Sequence, residues 1–297
     1  MNLDYTKLMM NLLFILFSLL FTITGFAQDI VINVDGKKLT TISLDEIKQL
    51  KTDEVEFFNN VTLRAERYRG VPTLRFIEKF YPEAQNLVEV EFISGTDFNP
   101  LVDIELLRRT NSILAFERSD GDKFVRYSKK EKILVPLGPL YLVWALKQVS
   151  KEDRLLHTSI YQINTINLVT NKMDFGVKEN SANASLYLGY QSYKRHCLSC
   201  HALGNLGGGV SFDLIKNKTL ESKGAEYVKK YIRNPGLVNP KTKMLPLSNF
   251  KNREEMVQGI VDFLTFMQDP ETILRKQNGS SGPASYKVLQ QLIKDIK

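Results

Sequence analysis

Apolar and polar residues alternate over short stretches in the first half of the chain. The segments DIVINVDGKKLTTISL and IYQINTINLVT follow the two-residue period of half-buried strands, and Asp35-Gly36 predicts a turn inside the first. A short helical pattern, LDEIKQL, follows the capping pair Ser43 and Glu46. Strands with short helices between them predict an α+β domain over residues 28–170.

Two further patterns in this domain predict paired strands. VEFFNNVTLRAERYRG predicts a strand pair with its turn at Asn59-Asn60, and SILAFERSDGDKFVRYS predicts a hairpin around Asp120-Gly121. TLRFIEKFYP predicts a helix that ends before Pro82, because a proline disfavours helix in the residue before it.

The pattern changes after residue 170. Residues 171–184 lose periodicity and gain Asn, Ser and charge, which predicts a linker. The segments ASLYLGYQSYKRHC, GAEYVKKYIR and NREEMVQGIVDFLTFMQ then have the spacing of helices without strands between them. We therefore expect an all-α domain over residues 185–270, and a tail over 271–297 that contains an amphipathic helix.

The first 27 residues have the pattern of a targeting segment. After Lys7 comes the apolar run LMMNLLFILFSLLFTIT, and the small residues Gly25 and Ala27 follow it. This predicts a secretory signal peptide cleaved after Ala27 and a periplasmic protein. Retention of the run as a membrane anchor is the alternative, which would make the protein membrane-associated.

Charge is concentrated in one part of the chain. The 297 residues carry a formal net charge of +7, without the dense basic clusters of a nucleic-acid-binding protein. Between Tyr190 and Leu245 there are ten Lys or Arg and three acidic residues, so this segment accounts for the whole excess. Such a field steers an acidic redox partner; ordinary solvated lysines are the alternative.

The chemistry is concentrated in Cys197-Leu198-Ser199-Cys200-His201, which contains both cysteines of the chain. The spacing is that of the c-type haem attachment motif. At the end of a helix, residues i and i+3 share a face, so both thiols can add to the vinyl groups of one porphyrin. His201 then supplies an axial nitrogen to the iron.

Two other functions share part of this motif. A thioredoxin-like dithiol also has the C-x-x-C spacing, but in a βαβ setting that this helical region lacks. A structural zinc site needs four nitrogen or sulfur ligands. The chain offers only His157, His196 and His201 besides the cysteines.

A sixth ligand to the iron is expected from a methionine, the usual partner in electron-carrying cytochromes. Met256 and Met267 lie in one predicted helix and are expected in its core-facing side. Met244 lies in the irregular segment NPKTKMLPLSNF, and a loop can bring its thioether across the ring. We therefore assign Met244 as the second axial ligand.

Residues 185–270 resemble class I cytochrome c. The resemblance is carried by Gly189, Tyr193, CLSCH, the glycines 207–209, YIRNP at 231–235, KMLP at 243–246 and IVDFLTFM at 260–267. It implies one covalent haem c and a crossing of the first and last helices. The family often has Gly-Pro-x-Leu after the glycines; here Ser211-Phe212 stands there, with the Phe212 carbonyl as the expected partner of the His201 ring. Arg233 and Tyr231 are candidate propionate contacts, and a structural role is the alternative.

Residues 28–170 resemble, more weakly, the molybdopterin-binding domain of the sulfite oxidase family. The carriers are YRGVPTLRFIEKF, RSDGDKF followed by VPLGPLYLVW, and SIYQINTINLV. That family binds molybdenum through a cysteine thiolate, and this domain contains no Cys. We expect a docking module without molybdenum or molybdopterin; a pocket for a cofactor held without cysteine is the alternative.

Three functions are compatible with these patterns. The first is an exported monohaem electron carrier that transfers single electrons between redox partners, with the N-terminal domain for docking. The second is an oxidoreductase, a sulfite dehydrogenase-like molybdopterin enzyme that passes electrons to its fused haem. The third is a subunit of a respiratory complex.

Overall fold

The computed structural model describes residues 28–59, 64–128, 132–144, 160–171, 177, 184–203, 207–247 and 252–268. The signal peptide (1–27), the tail (271–297) and nearly all of the linker (171–184) lie outside these ranges. In the part of the chain that is described, no helix combines the length and apolar character needed to cross a bilayer.

The first part of the chain forms a large mixed sheet. Its strands and those of a separate hairpin are β1 Asp29–Val34, β2 Lys37–Ser43, β3 Asp53–Asn59, β4 Arg64–Pro72, β5 Glu89–Ser94, β6 Leu101–Asp103, β7 Ser112–Arg118, β8 Val125–Ser128, β9 Ile133–Pro136, β10 Leu140–Trp144 and β11 Tyr161–Val169. Nine of these described strands form one sheet, in the order β2-β1-β11-β10-β7-β4-β3. Strand β5 also pairs with β11 and carries β6 at its other edge. The β1–β11 pair is parallel, with Val31 opposite Thr165, and the other pairs are antiparallel.

The interior strands are apolar because both faces of the sheet are covered. All five residues of β10 are buried, as a strand packed on two sides requires. One face packs against Phe76 and Ile77 of a short helix. The other face holds a smaller cluster that includes Tyr68 and Tyr141, whose ring centroids lie 5.4 Å apart.

Most local predictions for this part are confirmed. The β1–β2 turn falls at Asp35-Gly36, and Ser43 and Glu46 form the capping box in both directions. The hairpin predicted around Asp120-Gly121 is wrong. Strand β7 pairs with β4 and β10, whereas β8 pairs with β9. Both edges of β7 are thus occupied by strands that are longer than β8.

The helices are few and short before residue 170 and dominate afterwards. They are α1 Leu44–Lys48, α2 Thr73–Phe80, α3 Ile104–Arg109, α4 Ala184–His196, α5 Thr219–Lys223, α6 Ala225–Arg233, α7 Pro235–Val238 and α8 Arg253–Gln268, with a 3-10 turn at Ala84–Asn86. All three long helical patterns predicted after residue 170 are confirmed as α4, α6 and α8.

Helices α4 and α8 cross where two glycines meet. A Cβ atom on Gly189 would lie 1.8 Å from the Gly259 carbonyl oxygen, so only glycine allows this approach. Beside the crossing, the rings of Tyr193 and Phe263 have centroids 5.5 Å apart. The expected crossing of these two helices is confirmed, with Gly189, Tyr193 and Phe263 at the contact, and Gly259 is a partner that the sequence patterns did not indicate.

The predicted fold class, an α+β domain followed by a separate all-α domain of class I cytochrome c type, is wrong. The described chain is one mixed α/β protein organised on the nine-stranded sheet. Its helical segment is joined to the sheet: the Asn99 amide donates to the Ser199 carbonyl at 3.1 Å, and Gly209 donates to Asp97 at 2.9 Å. Leu101 of β6 packs against the core of the helices. Local periodicity locates elements but carries no information on such contacts between distant segments.

Candidate functional site

Helix α4 leads directly into a tight turn that contains both cysteines. The Cys197 amide donates to the Tyr193 carbonyl at 2.8 Å, and the Cys200 and His201 amides donate to the Cys197 carbonyl at 3.0 and 2.8 Å. These bonds continue the helical path, in which residues i and i+3 are neighbours. Neither Cys197 nor Cys200 is part of a disulfide.

Burial controls the state of these thiols. It raises the pKa of the Cys197 thiol to about 12 and also raises the pKa of the Cys200 thiol. Redox-active dithiols have a lowered pKa instead, typically because a helix N-terminus or a nearby cation stabilises the thiolate. Here the motif follows the C-terminal end of α4, so its environment does not match that of a thioredoxin-like dithiol.

A cavity of about 360 Å³ opens beside this turn. Its size is within the roughly 300–1,000 Å³ of small-molecule sites. Apolar side chains form much of the wall: Leu214, Val228, Ile232, Ile260 and Leu264. Cys197, His201 and Met244 line the same cavity, so three of the four predicted attachment and axial residues share it. The half-buried Cys200 lies outside this lining.

A backbone carbonyl fixes the ring of His201. Its Nδ1 atom lies 3.0 Å from the Phe212 carbonyl oxygen, the acceptor that the sequence analysis expected. When Nδ1 carries the donated proton, Nε2 keeps the lone pair that binds a metal. Burial lowers the pKa of His201, which favours the neutral ring. Metal-ligating histidines usually have this arrangement.

Met244 lies half-buried in a loop whose conformation is fixed by a hydroxyl pair. The Met244 amide donates to the Thr242 hydroxyl at 3.2 Å, and the Tyr231 hydroxyl lies 3.0 Å from the same oxygen. Thr242 was missed by the sequence analysis, although the T-x-M spacing is a signal for a hydroxyl that accepts from the amide two residues later. By contrast, Met256 and Met267 are buried in the core, as predicted.

The two candidate propionate contacts lie in different surroundings. Tyr231 lines the cavity, and its hydroxyl meets Thr242. Arg233 is not among the lining residues. Its guanidinium pairs with Glu254 on α8, with Nη2 and Oε2 2.7 Å apart. A contact from either residue to a propionate stays a prediction.

The donor set fits haem c. Two thiols with the attachment spacing, a neutral imidazole and a thioether are the groups that cytochromes c use. The porphyrin itself supplies four nitrogens to its iron, so the protein needs only two axial donors. Among the described residues, no group of three or more His, Cys, Asp and Glu side chains is arranged to hold a bare metal ion.

The donor set of the sheet does not fit cysteine-ligated molybdenum. Both cysteines of the chain belong to the attachment turn, so no thiolate is available from residues 28–170. His157, the only histidine of that region, lies outside the described residues. Residues 28–170 therefore offer no cysteine on which a molybdenum-dependent step of the sulfite oxidase type can be based.

No protein-family model matches this chain, and no curated protein matches it in sequence. The functional interpretation therefore depends on the residues of the cavity and their geometry.

Proposed function

We propose that the protein is an exported electron carrier that binds one haem c through Cys197 and Cys200, with His201 and Met244 as axial ligands to the iron. Cys197 and Cys200 would hold the haem by thioether bonds: each thiol would add across one vinyl group, with the sulfur on one vinyl carbon and the thiol proton on the other, and with no net oxidation or reduction. When bound, the haem supplies a one-electron ferric/ferrous couple. The observation that supports the proposal is that Met244, distant in sequence from the CLSCH motif, lines one apolar cavity together with Cys197 and His201 of that motif.

The chain's own residues have three tasks in this function. The Phe212 carbonyl holds Nδ1 of His201, which orients the ring and makes Nε2 more basic. Thr242 holds the amide of Met244 and so limits where the thioether can lie. The apolar wall excludes water, which strengthens every electrostatic effect on the charge of the couple.

Both axial positions are assigned to protein side chains, so no open position remains for a substrate. This favours electron transfer over catalysis at this site. The catalytic alternative, a molybdopterin oxidoreductase, has no supporting observation among the described residues of the sheet.

The surface around the cavity has the composition of a docking site for a redox partner. Val210, Phe212 and Leu245 are each at least half exposed beside the two axial residues. The same part of the chain carries six exposed lysines, of which Lys223 lines the cavity: Lys216, Lys218, Lys223, Lys230, Lys241 and Lys243. An acidic partner is therefore expected, and its reaction rate should fall with salt, since the screening length is only about 10 Å at 0.1 M.

Absorption spectroscopy of the purified protein tests the proposal. We expect the spectrum in alkaline pyridine to show one haem per chain that organic extraction does not remove. The native ferric protein should be low-spin and show the weak methionine-to-iron band. A protein matured with haem available that carries none would contradict the proposal, and stoichiometric molybdenum would favour the catalytic alternative.

The location of the protein is part of the proposal. The apolar run after Lys7 and the small residues Gly25 and Ala27 favour export with cleavage after Ala27. N-terminal sequencing of the mature protein should begin at Gln28. A mature protein that begins at Met1 and sediments with membranes would instead support the anchor.

A further inference from the structure

We infer that the sheet loop of residues 94–101 positions the ring of His201, with Asn99 as the positioning residue. This rests on the proposed function, because the positioned group is the ring of His201. The loop is far from the motif in sequence, and the sheet has no other assigned role in haem binding.

Asn99 joins the loop to both sides of the attachment turn. Its amide donates to the Ser199 carbonyl at 3.1 Å, inside the CLSCH motif. Its side-chain Nδ2 donates to the Gly207 carbonyl at 3.3 Å, and its Oδ1 accepts from the Ser94 amide at 3.1 Å. One residue thus links the end of β5, the motif and the glycine segment that follows it.

Two glycines allow the loop and the turn to approach this closely. The Gly209 amide donates to the Asp97 carbonyl at 2.9 Å. A Cβ atom on Gly208 would lie 1.9 Å from the Ser199 carbonyl oxygen and 2.8 Å from the Asp97 carbonyl oxygen. Any larger residue at 208 would therefore separate the turn from the loop.

The contact continues from the glycines to the histidine ring. The Ser211 amide donates to the Cys200 carbonyl at 3.0 Å. The next residue, Phe212, presents the carbonyl that lies 3.0 Å from Nδ1 of His201. The sheet loop fixes residues 207–209, and these lead within three residues to the acceptor that orients the ring.

A second contact fixes the orientation of α4 relative to the sheet. Lys194 on α4 forms an ion pair with Glu89 of β5, and their side chains are only 10% and 7% exposed. Breaking a buried ion pair is costly, because it leaves one charge buried without a partner. The pair therefore connects the helix that leads into the cysteine turn to the strand that leads into the loop.

Three variants of the full haem-loaded protein test the inference. Asn99→Ala removes both side-chain bonds, whereas Asn99→Asp keeps the acceptor for Ser94 and loses the donor to Gly207. Thr96→Ala is the matched control, because the Thr96 hydroxyl contacts only Ser94 within the same loop. Loss of one hydrogen bond that contributes about 1 kcal/mol should raise the equilibrium constant for local opening of the loop contact about fivefold.

We expect amide hydrogen exchange of residues 207–211 to quicken about fivefold in both Asn99 variants and to stay unchanged in Thr96→Ala. We also expect the reduction equilibrium to shift about threefold toward ferrous iron, about 28 mV for a one-electron couple, because a loosened Phe212 bond makes His201 less basic.

Asn99 variants that bind haem but keep the wild-type reduction potential and the wild-type amide exchange of residues 207–211 would overturn the positioning role of Asn99. They would leave the proposed function unaffected. An Asn99→Asp protein that behaves as wild type would show that the bond to Gly207 has no role. A Thr96→Ala protein that behaves as Asn99→Ala would show that any disturbance of the loop has the same effect. Either result would also overturn the positioning role of Asn99. Wild-type protein that matures without haem would overturn the proposed function and, with it, the positioning of an iron ligand.

Discussion

The sheet and the helical segment fill their interiors in different ways. Trp144, Phe76 and Phe92 are each at most 1% exposed in the sheet core, which its own side chains fill. The helices instead surround a cavity of about 360 Å³ lined by a cysteine, a histidine and a methionine. The side chains of the sheet therefore fill its own core, whereas a group bound in the cavity of the helical segment would add to the stability of the folded state.

The largest effect on this comparison is expected from removing both thiols. In the variant Cys197→Ser with Cys200→Ser, covalent haem should be lost. Amide exchange should then quicken strongly in α4 and α8 but little in β7 and β10. Hydrogen exchange with peptide resolution measures this difference. Equal loss of protection in the sheet and the helices would show that the two regions form one stability unit.

A smaller effect is expected at the helix crossing. Gly189→Ala places a methyl group against the Gly259 carbonyl, and such overpacking costs about 3 kcal/mol. Gly236→Ala is the matched control, since the nearest atom to its added Cβ is 3.7 Å away; it should change the free energy of unfolding by less than about 0.5 kcal/mol. Denaturant titration of both variants compares them, and equal midpoints would contradict the crossing.

Met244→Ala tests the predicted axial ligand. It should lower the free energy of unfolding by about 1–2 kcal/mol, because the side chain is only half-buried. The methionine-to-iron band should disappear from the ferric spectrum. Met256→Leu is the control: Met256 is a buried core residue, and the swap conserves volume. A band that survives Met244→Ala, or that Met256→Leu abolishes, would remove Met244 from the site.

The smallest effect is expected in the sheet at low pH. A hydrogen bond from Arg118 lowers the pKa of Asp120 to about 2, with Nε and Oδ1 2.9 Å apart. Because the pKa is lower in the folded state than the usual value of about 3.9, the stabilisation is complete above about pH 4 and is lost as the pH falls toward 2. Asp120→Asn should cost under about 1 kcal/mol near pH 7 and nothing near pH 2. Thermal unfolding at both pH values measures this; an equal cost at both would contradict the pairing.

The sequence predicted the local elements and the local geometry around the CLSCH motif better than the assembly of the chain. The helix α4, the attachment turn and the Phe212 acceptor follow from short-range patterns that a few residues carry. The pairing of β8 with β9 could not be predicted, because strand partners are selected by competition across the whole sheet. The contacts of Asn99 were also not predictable, since a loop residue that joins distant segments has no periodicity.

The predicted fold class, with a separate all-α domain after the sheet, was wrong for the same reason. The change of pattern at residue 170 is real, because the last described strand ends at Val169 and the described elements from Ala184 onward are all helices. Pattern alone does not report that Lys194 and Ser199 return to contact Glu89 and Asn99. Glycines 208 and 209 indicate that the backbone there makes a close contact. The sequence does not say which residue they contact.

Mass spectrometry of the mature protein tests the central claim most directly. After digestion, the peptide that contains Cys197 and Cys200 should carry the mass of one haem at full occupancy, and it should lose that mass in the double serine variant. The same peptide with two unmodified thiols or an internal disulfide, in protein produced where haem attachment operates, would contradict the account.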